Sequence, residues 1–572
     1  MTIGLKTICS NPQAAIIIMA AGEGKANVVR NAIEGSRDLS RPASVLHGHH
    51  GARFYLTHGA ATALTARKAE KSSNLSREIV DWAKAYLSLS SVSSTFLDTT
   101  ICPPPTDYQQ AEILLVEVAL QNKVKLLNIQ IPHMLNYFST PSSFPDWFFD
   151  SENLEVLKSC ADLRIKKKIE CGYESSRMTN QSILHTAPHH DDIMLSYHAA
   201  MHSMLGRPDD GWKAENFGEH VRGNKNYFAY LTSGFHSVND DFLMHHCLNA
   251  RGTLDDEHYA PLKDLVYCGN INKNYDILMK EFYNAFVRNE QKQLIYIEAI
   301  IFARAVGSVW NITTSSKDDL LKLLVEKIEW IRIVYLTDHK PGDSVPKEIQ
   351  LLKGRMRESE VDRVWALSRM PMDRVFHLRS KFYTDDFFAP QPTLHDDAKP
   401  MVDLMKKLQP QVISVAFDPE GTGPDTHYKV LQIVAAALRV ALDNSDLDQS
   451  DPLIWGYRNV WFIFTPSDAT LMIPASNTDL DLMHDTFMNC FTTQKDASFP
   501  SPSYEGPFSA WARHIQKEQR EHLGVLLGEE WFQNHEVDAI RNSAGFVFIK
   551  AMKASVFLVE VEELKGKIVG DA

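Results

Sequence analysis

The sequence Ala-Pro-His-His-Asp-Asp at residues 187–192 follows a short apolar segment, Ile183-Leu184, and precedes a segment with helical spacing at residues 193–198. This order predicts a β-strand that ends at the motif and a helix that begins just after it. In open α/β sheets, ligands bind at the carboxyl ends of the strands. The motif therefore predicts a functional site at one edge of a sheet.

The motif brings two imidazoles and two carboxylates together. His189 and Asp192 can both point at one divalent metal, which leaves Asp191 free to handle a proton. Ligands of mixed nitrogen and oxygen type suit zinc, with a coordination position left open for water. The alternative is a solvated acidic helix start, because Asp-Asp before a helix caps free N–H groups and favours the positive end of the helix dipole.

A third metal ligand is predicted far downstream. Residues 411–417 have the apolar character of a buried strand, and a polar, glycine-containing segment follows and reaches His427. A strongly apolar helix is predicted there, with His427 in its first turn. Asp425 is close enough to cap this helix or to orient the imidazole as a partner behind the metal. A lone histidine at such a position is more often structural, but its place after a second strand end favours a ligand.

Four segments resemble the LmbE/PIG-L family of N-acetylglucosaminyl deacetylases. Residues 188–192 resemble the family's Pro-His-Pro-Asp-Asp motif, with His190 in place of the second proline, and Gly-Pro-Asp-Thr-His at 423–427 resembles its downstream His-Pro-Asp-His motif. Residues 230–234 resemble the end of the family's second strand, and Arg-Glu-Ser-Glu at 357–360 resembles an Arg-Glu-x-Glu sequence that begins a helix near the pocket. The resemblance spans about residues 180–470 and implies an α/β fold with a Rossmann-like, mostly parallel sheet.

The resemblance also implies a role for each matching residue. His189, Asp192 and His427 would hold zinc, and Asp191 would be the general base for the metal-bound water. Asp191 would later return the proton to the leaving amine. Arg357 is expected to bind a substrate hydroxyl or phosphate, with a structural ion-pair network as the alternative. The implied reaction is hydrolysis of the acetamide of an N-acetylglucosamine-type sugar or sugar phosphate.

One departure from the family favours a different function. The first histidine of the downstream motif, which helps to stabilise the oxyanion in the family, is replaced by Gly423. An oxyanion donor is typically worth ~2.7–4 kcal/mol. Either another group, such as His190 or His236, replaces it or the activity is weak. The alternative is a catalytically degenerate domain that binds sugar phosphate and regulates or scaffolds a partner deaminase.

The N-terminus carries a second resemblance. An apolar run at residues 14–20 predicts a buried strand, and Ala-Gly-Glu-Gly-Lys-Ala at 21–26 opens a predicted helix that ends near Gly35. A glycine turn, a lysine and a helix start can hold a phosphate. Together with residues 41–57, the segment resembles the C-terminal part of glucosamine-6-phosphate deaminase, which implies that Lys25 contacts the sugar phosphate.

The deaminase family's catalytic Asp-Gly-His loop normally lies upstream of this segment and has no counterpart in the sequence. Deaminase chemistry is therefore expected to be absent. The segment is either the end of a longer deaminase–deacetylase fusion or a retained remnant that docks on the deacetylase. Met1 falls shortly before what resembles a mid-domain strand, which slightly favours the first explanation.

Composition sets broader bounds. The chain has 572 residues, a formal charge of −13 and a pI near 6.0, which argues against nucleic acid as the main partner. Its longest apolar run is far short of the ~20 residues of a membrane helix, and no signal sequence is evident. Seven dispersed cysteines without Cys-x-x-Cys fit reduced thiols. We therefore expect a cytoplasmic protein that binds a small amino sugar or sugar phosphate and no membrane; a homo-oligomer remains open.

The sequence also predicts the organisation of the chain. The region that links the two resembling segments, residues 71–179, is expected to be most helical at residues 111–127. The insertion at about 240–352 is either a lid over the active site or scaffold. Residues 459–464 are predicted to add a strand, and residues 509–523 a polar helix. Three regions are predicted: a partial deaminase-like segment (1–70), a mainly helical linking region (71–179), and a deacetylase-like domain (180–572) with a helical insertion at about 240–352.

Overall fold

A computed structural model of the protein describes most of the chain. The fold is mixed α/β with a mostly parallel sheet and many helices, as the sequence predicts. The described residues are 4–73, 75–89, 104–137, 145–205, 223–254, 271–313, 317–340, 342–386, 390–419, 424–500 and 504–569.

Two sheets contain the strands of the described residues. An N-terminal pair is parallel, and a central sheet has the order β5-β4-β3-β6-β7-β9-β8. In the central sheet, β5, β4, β3, β6 and β7 are mutually parallel, whereas β9 is antiparallel to both of its neighbours. The strands are β1 (Ile16–Ala20), β2 (Ala52–Leu56), β3 (Ser182–Ala187), β4 (Lys225–Tyr230), β5 (Val375–His377), β6 (Val412–Ala416), β7 (Leu453–Tyr457), β8 (Leu471–Ala475) and β9 (Gly545–Lys553).

Helices make up most of the remaining described chain. Those before β3 are α1 (Leu5–Cys9), α2 (Ala26–Ile33), α3 (His58–Ala61), α4 (Thr65–Ser73), α5 (Glu78–Leu89), α6 (Thr106–Asn122), α7 (Ile131–Tyr137) and α8 (Ser151–Ser175). Those from the first motif to β6 are α9 (Asp192–Ser196), α10 (His198–Leu205), α11 (Asp240–Leu254), α12 (Ile271–Val287), α13 (Gln291–Val309), α14 (Lys317–Trp330), α15 (Leu336–Asp338), α16 (Lys347–Leu367) and α17 (Lys399–Leu408). Those after β6 are α18 (Asp425–Asp443), α19 (Asn477–Cys490), α20 (Phe508–Leu527), α21 (Glu529–Gln533), α22 (Asp538–Arg541) and α23 (Ala554–Val569).

The central sheet is buried on both faces, as β3 illustrates. Successive side chains of a strand point to opposite faces. Ile183 joins one buried cluster, with residues of α10 and α16, whereas Leu184 joins another, with residues of α8 and α18. Helices therefore cover both faces, which is the usual environment of a parallel sheet.

The strand order reverses between β3 and β6. From β3 the sheet extends through β4 and β5 on one side and through β6 and β7 on the other. A crevice opens at the carboxyl ends of strands where the order reverses, and ligands bind there in open α/β sheets. Residues 188–192 follow β3, and Asp418 follows β6, so the topology brings both segments to this crevice.

The N-terminal pair is covered less completely. β1 and β2 pair in parallel from Ile16 opposite Ala52 to Ala20 opposite Leu56. Alternate side chains remain in solvent: Ile17 and Tyr55 are each 60% exposed and Met19 is 80% exposed. One face of this small sheet therefore presents apolar side chains to water.

Several predicted elements are confirmed. The strand predicted at 411–417 is β6, the apolar helix after it begins at Asp425, and the polar helix at 509–523 lies within α20. The described parts of residues 71–179 and of the insertion at 240–352 are mainly helical. The downstream motif is described only in part, because residues 420–423, including Gly423, lie outside the described residues.

Three predictions about the elements were wrong. The strand at residues 16–20 forms as β1, but it is not buried, since Ile17 and Met19 face solvent. Residues 459–464 form turns and extended loop rather than a strand, since the Asn459 backbone accepts a hydrogen bond from Phe462 N and its side chain is used in the site described below. The Arg-Glu-Ser-Glu sequence does not begin a helix but lies inside α16, which begins after Pro346. A proline at the N-cap explains this start, because its missing N–H costs nothing there.

The described cysteines and helices bear on two further expectations. Five cysteines are free thiols, and Cys102 and Cys268 lie outside the described residues. None of the helices in the described part of the chain combines the length and apolarity that a membrane crossing needs.

Candidate metal-binding site

The structure brings together the three predicted metal ligands. One ligand atom from each of His189, Asp192 and His427 lies within 4.8 Å of the other two. The His189 Nδ1 to His427 Nε2 distance is 3.2 Å, and His427 Nε2 lies 3.3 Å from Asp192 Oδ1. The first and last of these residues are 238 positions apart in the sequence, so the fold creates the cluster.

Two of the three separations are close to those between the ligand atoms of a tetrahedral metal. Zinc binds imidazole nitrogen at ~2.0–2.1 Å and carboxylate oxygen at ~2.0–2.2 Å, which places neighbouring tetrahedral ligand atoms about 3.4 Å apart. The observed 3.2 and 3.3 Å lie close to this value. Two imidazoles and one carboxylate also leave a fourth position open, so the donor set fits a catalytic rather than a closed structural zinc site.

Local structure holds the first two ligands in place. His189 follows β3 directly, and its backbone N–H donates to Asp192 Oδ2 at 2.6 Å. Thr232, which follows β4, donates from Oγ1 to the carbonyl of Pro188 at 2.8 Å. The loop is thus attached to the neighbouring strand, and its turn is closed by the carboxylate that would bind the metal.

A second set of contacts orients the ligands from behind. His427 Nδ1 contacts Asp418 Oδ2 at 2.8 Å, and Asn459 Nδ2 donates to Asp192 Oδ1 at 2.7 Å. A carboxylate on the outer nitrogen of a ligating histidine fixes its tautomer and raises its basicity. Asp418 occupies the position that the sequence analysis gave to Asp425. Asp425 instead pairs with Lys429 one helical turn on and is 63% exposed.

Electrostatics couple the buried ligands. Burial on its own would raise the pKa of Asp192, but His427 and His189 hold it well below its usual range. Burial would likewise lower the pKa of the His427 imidazole, but Asp192 and Asp418 raise it to about 10. Without a metal, the pair is therefore a protonated imidazole beside two carboxylates, a positive charge that a divalent cation would replace.

Asp191 lies beside the cluster without joining it. Its side chain is 12% exposed, and its closest charged partner is Arg357, with Nη2 at 3.8 Å from Asp191 Oδ2. Arg357 is 1% exposed, and its Nη1 donates to Glu360 and, at 2.8 Å, to Thr493 Oγ1. The guanidinium is thus part of a buried ion-pair network, and its Nη2 faces Asp191, an arrangement that suits holding this carboxylate.

The two histidines considered as replacement oxyanion donors differ in their exposure and in their hydrogen-bond partners. His190 is fully buried and stacks on Tyr230 with ring centroids 5.3 Å apart, and both of its ring nitrogens lack hydrogen-bond partners among the described residues. Burial lowers the pKa of His190 well below its usual value. His236 is 46% exposed, and its Nε2 contacts the carbonyl of Thr384 at 3.2 Å.

Sequence reasoning missed Tyr383. This residue follows β5 and packs edge-on against His189, with ring centroids 6.1 Å apart. Burial raises the pKa of Tyr383 to about 12, so the phenol keeps its proton at neutral pH. No motif marks it in the sequence. Asp418, in contrast, had a usable signal, because it is a carboxylate directly after a buried strand.

Lys25 lies in the N-terminal region, away in sequence from every ligand. It ends a short 3₁₀ turn, Glu23–Lys25, that leads into α2, and its side chain is exposed. Gly22 precedes the turn with φ 86°, a left-handed conformation that favours glycine, and its N–H donates to Thr57 Oγ1 at 3.1 Å. Gly22 is therefore explained by the conformation of the turn.

One curated protein is similar to part of this chain. A putative glucosamine-6-phosphate deaminase-like protein of Bacteroides thetaiotaomicron is 25% identical to this chain over 205 residues. The match covers 35% of this chain and 30% of that relative's length. No protein-family model matches the chain, and no solved structure matches it.

Proposed function

We propose that the protein is a zinc-dependent deacetylase of the LmbE/PIG-L type, built on a Rossmann-like sheet, that hydrolyses the acetamide of an N-acetylglucosamine-type sugar or sugar phosphate. The observation that carries the proposal is the convergence of His189, Asp192 and His427 at the crevice between β3 and β6. Asp191 lies beside these ligands and is not one of the three residues that would hold the metal.

The donor set determines what a bound metal would contribute. When bound by these three residues, zinc would lower the pKa of a coordinated water towards ~7 and polarise the amide carbonyl. Asp418 and Asn459 would keep the ligands in position, since they already hold His427 and Asp192.

Asp191 would carry the protons. Its carboxylate accepts a proton from the attacking water and returns it to the nitrogen of the leaving amine, so that acetate and a free amino sugar are formed. Arg357 would orient the carboxylate through the 3.8 Å contact. Its burial favours this supporting role over direct contact with a substrate hydroxyl or phosphate.

The substrate class rests on the relative and on the first resemblance. The relative is named for glucosamine 6-phosphate, an amino sugar phosphate, and a deacetylase that acts on N-acetylglucosamine derivatives releases amino sugars of this kind. Lys25, beside the glycine turn, is the proposed contact for a phosphate in the N-terminal segment. The proposal places no deaminase chemistry in that segment.

Acetate release by the zinc-loaded protein over a panel of N-acetylated hexosamines and their phosphates tests the proposal. We expect turnover with at least one substrate and loss of both zinc and turnover in His427→Ala. His395→Ala is the matched control, since His395 is 88% exposed on the surface. Stoichiometric zinc with no acetate release, together with sugar phosphate binding, would instead favour the regulatory or scaffolding alternative.

A further inference from the structure

The side of the site next to His189 is formed by aromatic rings. Tyr383 contacts Phe235 and His236, with ring centroids 5.4 and 5.2 Å apart, in addition to His189 at 6.1 Å. The His236 ring also contacts the backbone carbonyl of Thr384, the residue after Tyr383, at 3.2 Å. Phe235 and His236, which follow β4, therefore pack on the Tyr383 ring beside a predicted metal ligand.

The Tyr383 ring lies beside the groups of the proposed reaction, because it contacts His189. Burial is the main influence on the pKa of the Tyr383 hydroxyl, and the charges of Arg357 and Asp191 also act on it. The structure records no acceptor for the Tyr383 O–H among the described residues.

The other candidate donors at this site are less suitable. His190 is fully buried and stacks on Tyr230, so its ring is not exposed to the crevice. His236 has its Nε2 occupied by the Thr384 carbonyl and its Nδ1 at 3.7 Å from Asp385. Tyr383 is the described side chain that combines contact with His189 and an uncommitted donor.

We propose that Tyr383 is a catalytic residue that donates a hydrogen bond to the amide carbonyl oxygen of the substrate as negative charge develops on that oxygen. This inference rests on the proposed function and supplies the donor that the substitution at Gly423 removes. No bond of the tyrosine breaks: the proton stays on the phenol oxygen, and the hydrogen bond strengthens in the transition state. Donors of this kind typically contribute ~10²–10³ in kcat.

Tyr383→Phe is the direct test, because it removes the hydroxyl and keeps the ring against His189. We expect kcat and kcat/KM for acetate release to fall together by ~10²–10³, as for an interaction made only in the transition state, with zinc content and melting temperature unchanged. Tyr55→Phe is the matched control, since Tyr55 is 60% exposed on β2, and it should behave as wild type.

A binding measurement separates this inference from the proposed function. Calorimetry with acetate, the expected product, on the zinc-loaded proteins should show at least about tenfold weaker binding to Tyr383→Phe than to wild type, because the acetate oxygen loses a charge-assisted hydrogen bond. If wild type releases no acetate from any substrate, the proposed function fails, but weaker acetate binding in the variant still supports Tyr383 as the donor. Wild-type acetate affinity in Tyr383→Phe, or loss of its zinc, would overturn the inference.

Discussion

The crevice between β3 and β6 and the turn after β1 are both places where a strand leads into a helix beside polar side chains, but their surroundings differ. In the crevice, Asp192 and His427 are 2% and 1% exposed, and each has an identified partner. At the N-terminal turn, Lys25 is exposed, and the neighbouring face of β1 shows Ile17 and Met19 to solvent.

The difference teaches that a motif gains chemical meaning from what surrounds it. Burying a carboxylate beside an imidazole costs free energy unless the two are paired, so the cluster in the central sheet is an arrangement that requires explanation. An exposed lysine after a glycine turn requires none. The case for chemistry is therefore strong at His189, Asp192 and His427 and weak at Lys25.

The largest expected effect is the loss of turnover when Asp191, the proposed general base, is replaced. Asp191→Asn should retain zinc, because Asp191 lies outside the ligand cluster, and should lose ~10²–10⁴-fold in turnover, the usual contribution of general base catalysis. Elemental analysis and an acetate-release assay on the same preparation check both parts. Loss of zinc in this variant would mean that Asp191 and Asp192 have been assigned the wrong way round.

The next effect distinguishes the two carboxylates near His427. Asp418→Asn should weaken zinc binding by ~10–100-fold, since the residue behind a ligating histidine sets its orientation and basicity. Asp425→Asn is the matched control and should bind zinc like wild type, because Asp425 is mostly exposed and pairs with Lys429. Competition with a chromophoric chelator measures both affinities. The opposite ranking would restore Asp425 as the supporting residue.

Zinc affinity should also depend on pH in a defined direction. In the metal-free protein the pKa of His427 is raised to about 10, so the ring is protonated at neutral pH, and zinc must displace that proton. Affinity should therefore rise up to about tenfold per pH unit between pH 7 and 9 and fall as the pH drops. Asp192, whose pKa lies well below its usual range, adds no dependence in this window. A zinc affinity that does not change with pH would contradict the electrostatic coupling of His427 and Asp192.

The smallest effect belongs to the N-terminal turn. Lys25→Ala should leave zinc content and acetate release unchanged, and it should weaken any binding of glucosamine 6-phosphate measured by calorimetry. Ammonia release from glucosamine 6-phosphate should be absent in wild type. Ammonia release that survives purification to homogeneity would show that the N-terminal region is more complete than proposed, and no heat of binding in wild type would leave Lys25 an ordinary surface lysine.

Sequence patterns predicted the parts of this structure that depend on local order. β6, the start of α18 at Asp425 and the place of His189 after β3 follow from apolar runs and the polar residues at their ends. The grouping of His189, Asp192 and His427 was also predictable, because parallel strands of an α/β sheet bring their carboxyl ends to one edge.

The remaining features depend on contacts between distant segments. Asp418 has the local signal of a carboxylate after a buried strand, but its choice over Asp425 as the partner of His427 follows from the direction of the chain leaving β6. Asn459 lies in a loop rather than in the predicted strand, and its side chain donates a hydrogen bond to Asp192. Tyr383 reaches His189 across 194 positions, a separation that no motif spacing describes.

The most direct test of the central claim is a titration of metal-free protein with zinc in which acetate release and bound zinc are measured on the same samples. The account predicts that activity rises in proportion to bound zinc and stops rising at about one zinc per chain, with neither signal in a His189→Ala, His427→Ala double variant. Acetate release that is independent of zinc, or tight zinc binding that survives in the double variant, would contradict it.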